Sequence, residues 1–317
     1  MRGGRAGPHR GGARGAHAVI FLAVAGLVAL AIALPHALQL DRVPAGVAGA
    51  IWLSALCLRA LASLALAVAV EVFVPLSVGG SWCLGAVSGH RLVDLACALP
   101  AFGLAGSLIW VALGMWRTAR SVGALVRSAV GPGPGESVLL ADGVPLVAAA
   151  GRRVVVSAGA VLALDDEELL AGLEHERGHI ALRHRYLLTA GELARGVARF
   201  LPGTRAAARE LTFSLERHAD AYAVARRHDP AVLVSAICKT AQGQFSLALG
   251  GGVVTRRARL LLETQPQAPR TPAPIVAVAP VMVALVAAGA IALPFAAHAG
   301  YHSKHEHVTP HSCAERR

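Results

Sequence analysis

The chain has 317 residues, of which 55% are hydrophobic and only 15% are charged, with a formal net charge of +11. Ordinary soluble domains carry about 25% charged residues, so this composition excludes a soluble two-domain protein, and it also excludes a disordered chain or a small disulfide scaffold. The positive charge does not indicate nucleic acid as a partner, because apart from Lys239 and Lys304 it consists of scattered arginines. Composition therefore predicts an integral membrane protein with one polar segment.

Four segments are long and apolar enough to cross a bilayer as helices, which takes about 20 residues. Three precede the polar segment and one follows it, at 19–40, 48–74, 95–116 and 274–297. The second carries Arg59 and Glu71, which either extend toward the membrane surface or form a pair inside the membrane. The predicted domains are a basic Gly/Arg tail, a three-span region, a polar domain, a fourth span and a His-rich tail, at 1–18, 19–130, 131–270, 271–297 and 298–317.

Arginines do not fix the orientation in the membrane. Cytoplasmic loops are enriched in Lys and Arg, yet arginines occur both in the N-terminal tail and after the third span, at Arg2, Arg5, Arg10, Arg14, Arg117, Arg120 and Arg127. Three crossings put these two groups on opposite sides. If translation begins at Val19, as a valine codon allows in bacteria, the tail is lost and the conflict disappears. We expect a multi-pass protein of the bacterial plasma membrane with a cytoplasmic polar domain, and N-terminal sequencing tests the start site.

The polar domain is predicted to be helical, with a short β element at its beginning. A Gly/Pro run at 131–135 indicates a linker. Two strands follow, at 137–141 and 153–157. Three helices come next, at 166–188, 205–227 and from 230 to about 250. Asp165 and Glu168 have the spacing of a capping box at the start of the first helix.

The first of these helices contains an H-E-x-x-H motif formed by His175, Glu176 and His179. Histidines at i and i+4 lie on one face of a helix, so both imidazoles can bind one Zn²⁺. Glu176 lies beside them and can reach a water on that zinc, whose pKa the metal lowers toward about 7. The motif also arises by chance, but its position within a capped helix of the one polar domain favours a catalytic zinc site.

A catalytic zinc needs a third protein ligand. Glu216 and Asp220 are four residues apart on the second predicted helix and share one face. Glu216 can complete the zinc site, and Asp220 can accept the second N–H of a ligand histidine and fix its tautomer. By itself such a pair more often describes a solvated helix face, but the H-E-x-x-H motif in the same domain favours the metal site. Glu192 and Glu210 are alternative ligands.

These motifs resemble those of the integral-membrane zinc peptidases. The likeness rests on the stretch 152–157, the H-E-x-x-H motif and the stretch 216–220, and it covers about residues 135–265. It is closest to the antirepressor-type peptidases of the β-lactam sensor-transducer group, and more distant to the HtpX-type and CAAX-prenyl-protease-type membrane peptidases. In the β-lactam sensors a penicillin-binding domain follows the last span. Only about 20 residues follow it here, without an S-x-x-K or K-T-G motif, so sensing of β-lactams by acylation is not expected.

The resemblance implies a role for each motif residue. His175, His179 and Glu216 correspond to the zinc ligands, Glu176 to the general base, and Asp220 to the carboxylate that supports the site. It also implies the fold class, a mostly α membrane protein whose helical, gluzincin-like peptidase domain with a short β element lies between three transmembrane helices and a fourth. The implied activity is that of a zinc metalloendopeptidase, usually on the cytoplasmic side.

Further histidines lie outside the motif. His184 and His218 are interpreted as structural or surface residues rather than as donors to an oxyanion. The C-terminal tail is dense in histidine, and an accessory metal site there would use His302, His305, His307 and His311. A disordered tail with incidental histidines is the alternative.

Two functions from different classes follow. The first is a membrane-bound zinc endopeptidase that cleaves a repressor or a membrane-associated protein, with Glu176 activating the water and one Zn²⁺ as cofactor. An extended substrate would then pair with the strand near 154–156. The second is a signalling receptor without enzymatic activity that keeps the fold around a structural metal and does not need Glu176. Both have the lipid bilayer as a partner, and the oligomeric state stays open.

Overall fold

The structure is a computed structural model that describes residues 29, 32–38, 40–78, 91–243 and 251–263. Most of the predicted first span, all of the fourth and the His-rich tail lie outside the described residues. The same is true of the side chain of Glu71.

The described residues form a mostly helical protein with one small sheet. The helices are α1 (32–37), α2 (Ala45–Val78), α3 (Arg91–Arg127), α4 (Ala158–Ala163), α5 (Asp166–Ala181), α6 (His184–Val197), α7 (Thr204–Val224), α8 (Pro230–Gly243) and α9 (Gly251–Glu263). The strands are β1 (Ala129–Pro132), β2 (Val138–Leu140), β3 (Val147–Ala150) and β4 (Arg153–Ser157).

Two of these helices contain segments long and apolar enough to cross a membrane. They are Ala45–Ala67 in α2 and Leu99–Arg127 in α3, which overlap the predicted second and third spans. Within the most apolar 18-residue stretch of each segment, 28% and 11% of the residues, respectively, are buried by the rest of the protein. The total of four spans stays a prediction.

The sheet has the strand order β1-β2-β4-β3, in which β2 and β4 are parallel and the other pairs are antiparallel. The predicted linker at 131–135 is wrong in part, because β1 includes Gly131 and Pro132. Proline is tolerated there because β1 is an edge strand and needs no N–H on its outer side. The central strand β4 contains Val154, Val155 and Val156, all buried, and so packs on both faces.

The capping box at the start of α5 is confirmed. The Asp165 carboxylate accepts a hydrogen bond from the Glu168 backbone N–H, and the Glu168 carboxylate accepts one from the Asp165 N–H. The predicted single helix at 166–188 is wrong, however, since α5 ends at Ala181 and α6 begins at His184. Arg183 between them has φ of 56°, a left-handed conformation that interrupts the helix.

The apolar face of α7 packs directly against the first half of α2. Trp52 and Leu56 of α2 form one buried cluster with Leu211 and Leu215 of α7. At Gly49 of α2 a Cβ would lie 3.4 Å from the Leu215 side chain, so the two helices approach closely. The helix that carries Glu216 is therefore fixed to a candidate membrane helix, not only to the polar domain.

Candidate metal centre

The H-E-x-x-H residues lie in the middle of α5, where the capping box and the buried Leu169 and Leu173 fix the helix against the sheet. Their potential ligand atoms lie within 4.8 Å of one another, an arrangement that could hold a metal ion. The Nε2 atoms of His175 and His179 are 3.2 Å apart. Both imidazoles thus point to the same place, as the i, i+4 spacing predicts.

Glu216 of α7 faces the same point from the neighbouring helix. Its Oε2 lies 3.5 Å from Nε2 of His175, and its Oε1 lies 3.5 Å from Nε2 of His179. Zinc with bonds of about 2.0–2.1 Å in a tetrahedral site separates neighbouring ligand atoms by about 3.3 Å. The three groups are therefore close enough to bind one zinc ion, which would leave a fourth position for another ligand.

Charges around the site favour metal binding by Glu216 and His179. Burial raises the pKa of Glu216, but His175 and Arg257 lower it further, to about 2. Burial lowers the pKa of His179 to about 4 against the opposing effect of Glu216. At neutral pH these two groups are an ionised carboxylate and a neutral imidazole, the forms that bind a metal.

Asp220 lies one helical turn after Glu216 and contacts the other side of His175. Its Oδ1 is 2.9 Å from His175 Nδ1, and only 2% of the Asp220 residue surface is exposed. Burial lowers the pKa of His175, but Asp220 and Glu216 raise it more, to about 10. Metal binding at Nε2 must therefore displace a proton from this imidazole.

Arg257 of α9 is a residue of this site that sequence reasoning missed. Its Nη1 lies 2.9 Å from a Glu216 oxygen, and its Nη2 and Nε donate to the two oxygens of Asp220 at 2.7 and 3.1 Å. Arg257 thus neutralises part of the buried negative charge and fixes both carboxylates. In an arginine-rich sequence, a single arginine 37 residues beyond Asp220 gives no signal of this role.

Glu176 lies beside the histidines and is held by the sheet. Its Oε2 accepts a hydrogen bond of 2.7 Å from the backbone N–H of Ala149 in β3. Burial and the nearby Glu216 raise the pKa of Glu176, against the opposing effects of His175, the Ala149 N–H and Arg257. A carboxylate with a raised pKa can both accept and return a proton near neutral pH.

His184 and His218 are buried, which agrees with the first of the two alternatives predicted for them, a structural rather than a surface position. Nδ1 of His184 lies 2.9 Å from Nδ1 of His179, and its Nε2 lies 3.2 Å from Nδ1 of His218. The helix break at Arg183 lies between His179 and His184. No periodicity in the sequence predicts that break, although the third histidine five residues after the motif was a visible signal.

The two alternative ligands are paired elsewhere. Glu192 accepts hydrogen bonds from Arg195, with a shortest distance of 2.6 Å, and Glu210 accepts from Arg256 at 2.9 Å. Neither approaches the two motif histidines in any contact of the described residues. The histidines predicted to form a tail site lie outside those residues.

One family model matches the part of the chain that contains this site. Residues 146–270 match the profile of peptidase family M48, a family of zinc metallopeptidases. Neither a curated protein nor a solved structure matches the chain. The family match does not distinguish the antirepressor-type from the HtpX-type or CAAX-prenyl-protease-type peptidases, so the closer likeness to the first group stays a prediction. The 125 residues that match the profile include α5, α7 and α9. The chain thus carries a peptidase M48 family domain, and this domain contains all the residues of the candidate metal centre.

Proposed function

We propose that the protein is a membrane-bound, zinc-dependent endopeptidase whose domain faces the cytoplasm and cleaves a repressor or a membrane-associated protein. His175, His179 and Glu216 hold the zinc, and Asp220 orients His175. The observation that carries this proposal is that the Nε2 atoms of His175 and His179 lie 3.2 Å apart and that each lies 3.5 Å from one oxygen of Glu216, with Glu176 beside them. A structural metal site would need three or four ligands but no such carboxylate.

The bound zinc would polarise the scissile carbonyl and lower the pKa of a water. Glu176 accepts the proton from the attacking water and then donates it to the leaving amine. Because Oε2 of Glu176 is occupied by the Ala149 N–H, we assign the proton transfer to Oε1. The raised pKa of Glu176 suits a group that must carry out both transfers.

The substrate would bind along β3 as an added strand. The strand predicted for this role from the sequence, near 154–156, is excluded because β4 is paired on both edges by β2 and β3. In contrast, β3 is an edge strand of the sheet, and its Ala149 N–H points away from β4 toward Glu176. An extended peptide at this edge would place its backbone next to the general base.

The full-length protein, purified in a neutral detergent, tests the activity. The Glu176→Gln variant should retain one bound zinc per chain, measured by elemental analysis, and should lose cleavage of casein by at least about 100-fold. Glu167→Gln makes the same chemical change on an exposed residue of the same helix and should cleave like the parent. In the native host, proteins that accumulate uncleaved with Glu176→Gln would be the substrates. Equal proteomes of the two strains, together with equal casein cleavage by the two purified proteins, would favour the receptor without enzymatic activity.

A further inference from the structure

A small cavity of about 70 Å³ lies where α3, α6 and α7 meet, and it has a basic wall. We call it the arginine pocket, and define it by Trp110, Arg195, Arg199, Thr204 and Arg205. Two of the residues that line it connect α3 to α6, because the Ser107 hydroxyl donates a hydrogen bond of 2.6 Å to the Gly196 carbonyl. The pocket therefore lies between helices that contact each other directly.

The positive charge of the pocket is largely uncompensated. Within the described residues, Arg199 and Arg205 have no ion pair or hydrogen bond from their guanidinium groups, and both are exposed. Arg195 shares its charge with Glu192, 2.6 Å away. The first residues of the 21-residue helix α7 also line the pocket, and its N-cap Gly203 provides no side-chain acceptor. The positive end of the helix dipole adds to the attraction for an anion there.

The pocket lies beside a candidate membrane helix. Trp110 belongs to the apolar segment Leu99–Arg127 of α3. Two exposed aromatic side chains lie at the pocket or next to it. Trp110 is 68% exposed, and Phe200, in the connection between α6 and α7, is 71% exposed next to Gly103 of α3. Exposed aromatic rings beside arginines are characteristic of the membrane–water interface.

We propose that the arginine pocket binds the phosphate of an anionic phospholipid, with Trp110 and Phe200 against its acyl chains. The arginines alone would accept a soluble phosphate equally well. The lipid is favoured because the basic wall and the exposed aromatic side chains meet at one place on a candidate membrane helix. The proposal rests on the membrane location proposed above, but it does not depend on peptidase activity.

Thermal unfolding of the full chain in a neutral detergent tests the proposal, in the Glu176→Gln background so that self-cleavage cannot contribute. Phosphatidylglycerol added to the micelles should raise Tm, whereas phosphatidylcholine should not. The Arg199→Gln/Arg205→Gln double variant should need at least about tenfold more phosphatidylglycerol for the same shift. Arg152→Gln/Arg153→Gln removes the same charge from exposed residues of the sheet region and should respond like the parent.

Three results would overturn the proposal. One is an equal loss of the phosphatidylglycerol response in the two double variants, which would indicate unspecific electrostatics. Another is an unchanged response in Arg199→Gln/Arg205→Gln. The third is a full Tm shift with inorganic phosphate alone that phosphatidylglycerol does not increase, which would identify a soluble ligand. Arg199→Lys/Arg205→Lys, which keeps both charges, should retain most of the response and so separates a binding defect from a folding defect. Carbonate extraction of native membranes tests the membrane location separately.

Discussion

His175 and Asp220 form the contact that orients the candidate metal centre, with Nδ1 of the imidazole 2.9 Å from Oδ1 of the carboxylate. Because Asp220 occupies the Nδ1 side, Nε2 is left to face His179 and Glu216. The carboxylate is itself held by two guanidinium nitrogens of Arg257. The orientation of one ligand thus depends on helices α5, α7 and α9 together.

Replacing Asp220 by Asn should weaken metal binding without removing a ligand. The amide keeps an acceptor of similar shape but loses the charge that makes His175 a stronger donor, and such outer partners are worth about 10–100-fold in metal affinity or activity. Competition with a fluorescent zinc chelator would measure the affinity. Glu210→Gln is a suitable control, because Glu210 lies on the same helix and pairs with Arg256 instead. An unchanged zinc affinity in Asp220→Asn would contradict the assigned role.

Removal of Arg257 should destabilise the metal-free protein more than the zinc-bound one. Arg257 is 2.9 Å from Glu216 and 2.7 Å from Asp220, so Arg257→Gln leaves the buried Asp220 and the partly buried Glu216 without their cation. Breaking such a buried pair costs about 3–5 kcal/mol, and a bound zinc compensates part of that loss. We therefore expect a lower Tm with a chelator and a larger gain in Tm on adding zinc.

Arg259→Gln on the same helix provides the control for that experiment. Arg259 pairs with Glu263 at the surface, where an ion pair contributes about 0–1 kcal/mol. This variant should unfold like the parent in both conditions. If Arg257→Gln behaves in the same way as Arg259→Gln, the buried cluster does not depend on its arginine.

His184 should select the tautomer of His179. If His179 binds zinc through Nε2, its Nδ1 carries the proton and donates to Nδ1 of His184, 2.9 Å away. His184→Asn should then weaken zinc binding by about tenfold and change the visible spectrum of the cobalt-substituted protein, which reports the ligand geometry. His228→Asn, on a histidine outside the cluster, should change neither. A cobalt spectrum of His184→Asn identical to that of the parent would rule out a positioning role.

The sequence was sufficient for the parts of the site that lie on one helix or share a local spacing. The capping box, the face shared by His175 and His179, and the spacing of Glu216 and Asp220 all follow from helix periodicity. The alanine-rich β3 was missed because Ala has a low strand propensity. The helix break at Arg183 was missed because a left-handed arginine is set by tertiary packing, and Arg257 was missed because its partners are distant in sequence. These non-local features are the ones that place His184, Ala149 and Arg257 around the motif.

Stability in acid should depend on Glu168, which anchors α5 to α8. Its carboxylate accepts hydrogen bonds from Lys239 at 2.6 Å, from Ser235 and from the Asp165 N–H. Burial raises the pKa of Glu168, but these partners lower it more, so the folded pKa lies below its ordinary value. A carboxyl group with a depressed folded pKa stabilises the fold above its unfolded pKa, and that stabilisation is lost as pH falls through the folded value.

Glu168→Gln should therefore lower stability at neutral pH by about 1–3 kcal/mol, the contribution of hydrogen bonds to a charged group. The variant should also lose less stability than the parent when the pH is lowered below about 4.5, because it has no proton to gain at this position. Thermal unfolding in detergent at a series of pH values from about 3 to about 7, a range that covers the titration of a carboxyl group, measures both effects. The exposed neighbour variant Glu167→Gln should retain the parent's acid dependence, and a parallel decline of Tm in Glu168→Gln and the parent would show that Glu168 is not the titrating anchor.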